Sequence, residues 1–411
     1  MYLTISKRFE ISLSYRYHQP GWSRQENVSF FGSDVGSDHG YGGSFTAFFV
    51  FNGEVDRDNG MVINVTIIKE RINKLLAKRY DHKYLNVDTA PFDRIVPTPE
   101  NVARQLLLDA APLFDDESAD LVAVHLKTSG KTSATAYSSG LVERHATLEF
   151  SAARRTYSPN LTEEENTRLF GVAASPSGHG HHYHLRATLS GGVDDESGMI
   201  IDPSDARRAL KSLYMLLDHR NLTHDVPELD EYPLTTESLA SFSLQWLRNR
   251  MPVTRLRLWE NPYFYAECHE TGWVVMGTRT TFRAAHRLHS PSLTDEANLA
   301  IYGKCNNPSG HGHEYIVEAA VDGHLDETSG TLFPLEDLLA GTTRAVEPWH
   351  LKHLDKDTDD FTDRPSTAEN IVHVLWPRLE DAIGRSPYRL RLWETPNNRF
   401  TLRRDEPGTN E

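Results

Sequence analysis

Cysteine is nearly absent: two residues, Cys268 and Cys305, in a chain of 411. Two thiols cannot build a disulfide framework, so the core must come from burial alone and both cysteines are expected as reduced thiols. Long apolar runs are missing as well. No stretch approaches the roughly 20 residues that a bilayer span needs, which excludes a membrane-spanning helix and predicts no membrane partner. Positive charge is in deficit, with 43 Lys and Arg against 58 Asp and Glu and a formal net charge of -15. Without a segregated basic block, that balance repels a phosphate backbone and predicts no nucleic-acid partner. The opening MYLTISKRFE has no basic segment leading into an apolar one, so no secretory signal is expected and the expected compartment is the cytoplasm.

What is present is a globular composition, 38% hydrophobic and 25% charged, in a length that suits two or three domains of about 100 to 150 residues. One block recurs three times: GEVDRDNGMVIN from Gly53, GGVDDESGMIID from Gly191 and GHLDETSGTLFP from Gly323. A period of roughly 130 to 140 residues is domain duplication, not a solenoid. The boundaries are expected at 1–140, 141–275 and 276–411. In each block, Asp and Gly between alternating apolar segments read as a β-hairpin with Gly at positive φ. An amphipathic helix follows, as in ARRALKSLYMLLDH, with Asp202 as N-cap and Pro203 at the first turn. A second helix is expected at TPENVARQLLLDA, TTESLASFSLQWL and STAENIVHVLW, and a closing strand at LVAVHLK, TRLRLWE and YRLRLWE. The order per copy reads strand, strand, helix, helix, strand, with a further edge strand.

The chemistry-bearing residues concentrate in the third copy. His311 and His313 are two apart, so on a strand they share a face and can hold one metal. His286, on the alternating segment TFRAAHRL, is the third nitrogen. Three histidines leave a fourth position open, the pattern of a catalytic zinc rather than a structural one. By itself a His-x-His pair also fits an ordinary surface or core feature.

FRAAHRL, YGKCNNPSGHGHEY, PSTAEN and RLRLWET occur in this order across the whole third copy, and together they resemble the 6-pyruvoyl-tetrahydropterin synthase family. The resemblance implies that His286, His311 and His313 bind Zn2+, that Cys305 is the catalytic base and that Glu394 anchors a pterin substrate. It also implies an Asp-His pair that assists the cysteine and comes from a neighbouring subunit. That pair is matched by Asp218 and His219 in copy two and by Asp81 and His82 in copy one, while copy three reads His350-Leu351 there. Copy two has Arg154 for the strand-one histidine and Ala173 for the cysteine but keeps His179, His181 and Glu260. Copy one is further reduced, with Leu13 read at the strand-one histidine, His39-Gly40-Tyr41 at the metal pair and Lys127 at the glutamate.

The fold expected is α+β: three tandem tunnelling-fold (T-fold) domains, each an antiparallel sheet with two helices on one face, closing into a pseudo-trimeric barrel. A homodimer of two such rings is expected, with one working site per chain in copy three and a dyad donated by copy one or two. The reaction implied converts 7,8-dihydroneopterin triphosphate to 6-pyruvoyl-tetrahydropterin with loss of triphosphate, because five residues separate Cys305 from His311. A 6-carboxy-tetrahydropterin synthase of the queuosine pathway and a non-catalytic pterin-binding protein are the alternatives. Cys268 fits no motif and is expected to be a buried apolar residue.

Overall fold

The computed structural model describes residues 1–128 and 132–404; 129–131 of the first copy and 405–411 of the third lie outside the described residues. Among these, twelve long strands run antiparallel to their neighbours and close on themselves, because Val274–His286 pairs with His311–Gly323 as well as with Phe264–His269. Two further strands of two residues, Arg220–Asn221 and Lys352–His353, pair in parallel at the rim. Closure leaves no unpaired sheet edge, which removes a site of edge-to-edge aggregation.

Each copy supplies four barrel strands; in the third they are Val274–His286, His311–Gly323, Arg389–Thr395 and Asn398–Arg403. Alternation assigns one face of each strand to the helices outside and the other to the lumen. The outer face is apolar. Phe282 stacks on Tyr315 at 4.8 Å, and Trp349, fully buried, lies against Phe282. Large aromatics covered by the two long helices, Leu335–Val346 and Ala368–Ile383, dominate the burial energy here.

Helix starts follow the sequence. Asp202 caps Pro203–Leu217 by accepting from the Ser204 N–H, and Thr98, Thr235 and Thr367 each cap the second helix of their copies. A third, short helix stands between the first two strands of every copy, at Arg24–Phe31, Glu163–Phe170 and Asp295–Tyr302. It is absent from the expected order. Its signal was the capping box, Ser23 with Glu26 and Thr162 with Glu165.

The Asp-Gly block differs from the expected hairpin. Gly60 N–H donates to Asp56 O at 2.7 Å, and the chain then enters the helix Val65–Arg79 instead of returning as a strand. The reason is tertiary. The turn docks on the neighbouring copy, where Thr367 Oγ1 donates to Gly60 O at 2.6 Å, Thr98 Oγ1 to Gly198 O at 2.6 Å and Thr235 Oγ1 to Gly330 O at 2.5 Å. A Cβ on Gly60 would meet Asn370 and Pro365 at 2.7 Å, so these glycines serve close approach as well as positive φ. Copy two thus docks on copy one, copy three on copy two and copy one on copy three, which completes the ring.

Candidate active site

Period two carries the outer apolar row of two strands to the barrel end, where it becomes imidazole. His286 follows Phe282 and Ala284, and His311 and His313 precede Tyr315. Register sets His286 opposite His311, and the ligand nitrogens of His286, His311 and His313 lie within 4.8 Å of one another. His286 Nε2 is 3.2 Å from His311 Nε2. His286 Nδ1 is 2.9 Å from the Ser366 carbonyl, which orients Nε2 into the cluster. Burial pushes His286 down to about 3 and His313 down to about 4, and His311 is lowered for the same reason. The rings are therefore neutral at physiological pH, with lone pairs available. His313 Nε2 is buried without a partner. Three neutral nitrogens converging from a buried wall, one of them orphaned, fit a tetrahedral cation with one open position.

Glu394 closes the other side, its Oε1 3.7 Å from His286 Nε2 and 3.9 Å from His313 Nε2. Burial raises its pKa, against hydrogen bonding from Asn398 and the charge of Lys7. Lys7 belongs to copy one and donates to Asn398 at 2.7 Å, so two copies shape this pocket. Cys305 sits in the turn Gly303–Asn306, half-buried, its thiol pushed up by burial and by Glu394 and pulled down by Lys304. Glu369, fully enclosed, accepts from Val62 N–H of copy one at 3.2 Å, and burial raises it to about 8. In the sequence it was visible only as part of a helix-start motif.

A family model described as 6-pyruvoyl tetrahydropterin synthase matches residues 4–139, 145–271 and 276–405. The chain belongs to that family. It is 44% identical over 120 residues to the 6-pyruvoyl tetrahydrobiopterin synthase of Poecilia reticulata, covering 29% of this chain and 82% of that protein. The human enzyme of the same name is 41% identical over 122 residues, covering 29% and 84%. A solved Caenorhabditis elegans 6-pyruvoyl tetrahydropterin synthase aligns at 35% identity over 32% of this chain and 96% of that one, with a TM-score of 0.32.

The other two copies of this synthase-family chain hold different centres at the same register. In copy two, His179 pairs with Arg154, as His311 does with His286. The Arg154 guanidinium is buried, donating to Glu260 Oε2 at 2.5 Å, Thr236 Oγ1 at 2.8 Å and the Leu234 carbonyl. His181 Nε2 is 3.1 Å from Glu260 Oε1. His179, His181 and Glu260 are close enough to ligate a cation, but a fixed one already neutralises the carboxylate.

In copy one the register corrects three assignments. Tyr15, not Leu13, pairs with Tyr41, so Tyr15 and Tyr41 stand where His286 and His311 do. Gly43, not Tyr41, takes the place of His313. Lys127 pairs with Thr46, five residues past Tyr41, as Trp393 pairs with Ile316 past His311; Lys127 thus matches Trp393, and Thr128 matches Glu394. The misreading came from aligning His39-Gly40 with His311-Gly312, although Gly40, at positive φ like Gly310, is the preceding turn. The result is an aromatic plug, with Tyr15 4.7 Å from Tyr41 and 5.8 Å from Tyr17.

Asp81 Oδ2 is 2.7 Å from His82 Nδ1, and Asp218 Oδ2 is 2.5 Å from His219 Nδ1. Each Asp also accepts from the first strand of its own copy, at Ser12 N–H and Ser151 N–H, both 2.9 Å. His82, His219 and Leu351 share a positive φ, which puts His350-Leu351 of copy three at the position of Asp81-His82 and Asp218-His219. The dyads make no hydrogen bond or ion pair with Cys305, Glu394 or the three histidines. Copy one touches copy three beside Cys305 through Asn59 and Asn64. From there the 15-residue helix Val65–Arg79, about 22 Å long at 1.5 Å per residue, leads away to Asp81. Cys268 is buried against the Glu237 carbonyl, as expected of an apolar residue.

Proposed function

We propose that copy three is a zinc-dependent 6-pyruvoyl-tetrahydropterin synthase centre, acting on 7,8-dihydroneopterin triphosphate with elimination of triphosphate. The observation that carries this reading is the convergence of three neutral imidazoles, a half-buried thiol and a buried carboxylate at one barrel end. His286, His311 and His313 would hold the zinc, which supplies Lewis acidity to the side-chain hydroxyls of the substrate. Glu394 accepts two parallel hydrogen bonds from the guanidine-like edge of the pterin, a fork that fixes orientation. The Cys305 thiolate takes a carbon-bound proton, and the electron pair released expels the triphosphate. Lys304 in the same turn favours the thiolate.

The Asp-His pair is supplied by a second chain in a homodimer of rings. This is supported by dyads whose bonds stay within their own copies and whose His82 and His219 side chains are 81% exposed. The domain limits proposed remain 1–140, 141–275 and 276–411.

The test is incubation of the zinc-loaded chain with 7,8-dihydroneopterin triphosphate and mass spectrometry of the products, beside Cys305→Ala. A pyruvoyl product lost in the variant supports the reading. A carboxy product assigns the other branch, and unchanged substrate leaves a pterin-binding protein.

A further inference from the structure

Inside the barrel, charge does not balance. A cavity of about 750 Å³ is lined by Lys127, Arg186, Arg257, Arg391, Arg399 and the rings of Trp259 and Trp393, among others. The buried carboxylates beside it are already engaged, Glu143 accepting from Arg255 at 2.8 Å. Glu318 accepts from Arg279 at 2.9 Å and from Arg391 at 3.0 Å, and Glu267 accepts from Arg257 at 2.7 Å. Arg186 stands seven residues past His179, as Glu318 does past His311; copy two thus adds a cation where copy three places an acid.

We propose that this lumen binds an oligophosphate anion, held jointly by Lys127 of copy one, Arg186 of copy two and Arg399 of copy three. None of the three has a carboxylate partner among the described residues. Arg186 lies over the Trp259 ring at 5.5 Å and Lys127 over the Phe48 ring at 5.6 Å. The Nε atoms of Arg186, Arg391 and Arg399 are buried without a hydrogen-bond partner. Enclosing unpaired cations is costly, and the cost falls when an anion joins them. Burial and the mutual repulsion of these groups pull Arg186 and Arg399 down to about 10 and lower Lys127 too.

Three walls presenting positive charge suit a multivalent ion better than a single small oxyanion, and guanidinium forks match phosphate oxygens. The site is separate from the metal cluster. His286, His311 and His313 share the outer face of their strands with Phe282 and Tyr315, whereas the lumen lies on the opposite face.

The test is calorimetric titration of the full chain with inorganic triphosphate, with inorganic phosphate and ATP alongside, for zinc-loaded wild type, Arg186→Gln and Arg399→Gln and for His313→Ala. Binding is expected in wild type and in His313→Ala, to weaken at least about tenfold in either lumen variant, and to be weaker for single phosphate. Binding of triphosphate alone identifies a free oligophosphate, and binding of ATP as well identifies any such chain; both support the site. The lumen variants should melt higher than wild type without ligand and lose the triphosphate-dependent rise in Tm, which distinguishes a lost site from a lost fold. No binding in wild type, binding unchanged in both lumen variants, or binding abolished by His313→Ala overturns the proposal.

Discussion

Copies two and three have the same strands, the same His-Gly-His and the same glutamate after Leu-Trp, yet one residue separates their histidine clusters. Where copy three has His286, copy two has Arg154, which delivers a permanent cation to Glu260. A guanidinium donating to a carboxylate, a hydroxyl and a carbonyl puts a fixed positive charge into the copy-two centre. Three neutral imidazoles bring none. The place of the histidine cluster can thus be taken by an internal cation, and in copy one it is taken by tilted, packed tyrosines.

The sharpest way to break the comparison is to remove one histidine from each centre. His313→Ala is expected to strip the zinc and to lower turnover by about a hundredfold or more. His181→Ala should leave both unchanged, by metal analysis and product assay. If both variants lose zinc equally, the two centres are not distinct.

Arg154→His sharpens it in the other direction. It restores three imidazoles to copy two, and metal analysis should find a second zinc equivalent per chain. Arg154→Ala should instead destabilise the chain by about 3–5 kcal/mol in denaturant titration, since Glu260 is left as a buried charge without its partner. A change near zero would mean that the ion pair is incidental.

The effect that only pH reveals concerns Glu369, which has no basic partner among the described residues, against its counterpart Glu100, which receives Arg144 at 2.7 Å. With Glu369 raised from 4.5 to about 8, folded and unfolded states are both protonated below this window. Within it only the unfolded chain ionises, so stability falls as pH rises, by up to about 1.4 kcal/mol per pH unit. Glu369→Gln should flatten that slope in melts between pH 5 and 8; an identical slope would place the carboxylate's proton elsewhere.

Much of this was legible in the sequence because it is written in local periods. Spacing two put His311 and His313 on one face, and Thr-x-Glu marked three helix starts. The Asp-Gly block was misread because its destination is a neighbouring copy. The short helix was overlooked because its capping box sits in a polar stretch with little apolar periodicity. Tyr15 was missed for Leu13 because a shift of two residues keeps the same strand face and only the pairing register distinguishes them.

The threefold duplication, the cap residues and the residue types of the copy-three centre can be read along the chain, since they depend on neighbours in sequence. That Arg154 fills copy two, that Lys7 of copy one approaches Glu394 and that cations from three copies meet in one lumen follow from the folded ring alone. Barrel closure brings together residues hundreds of positions apart, and no local pattern records which side chain will face which across the ring.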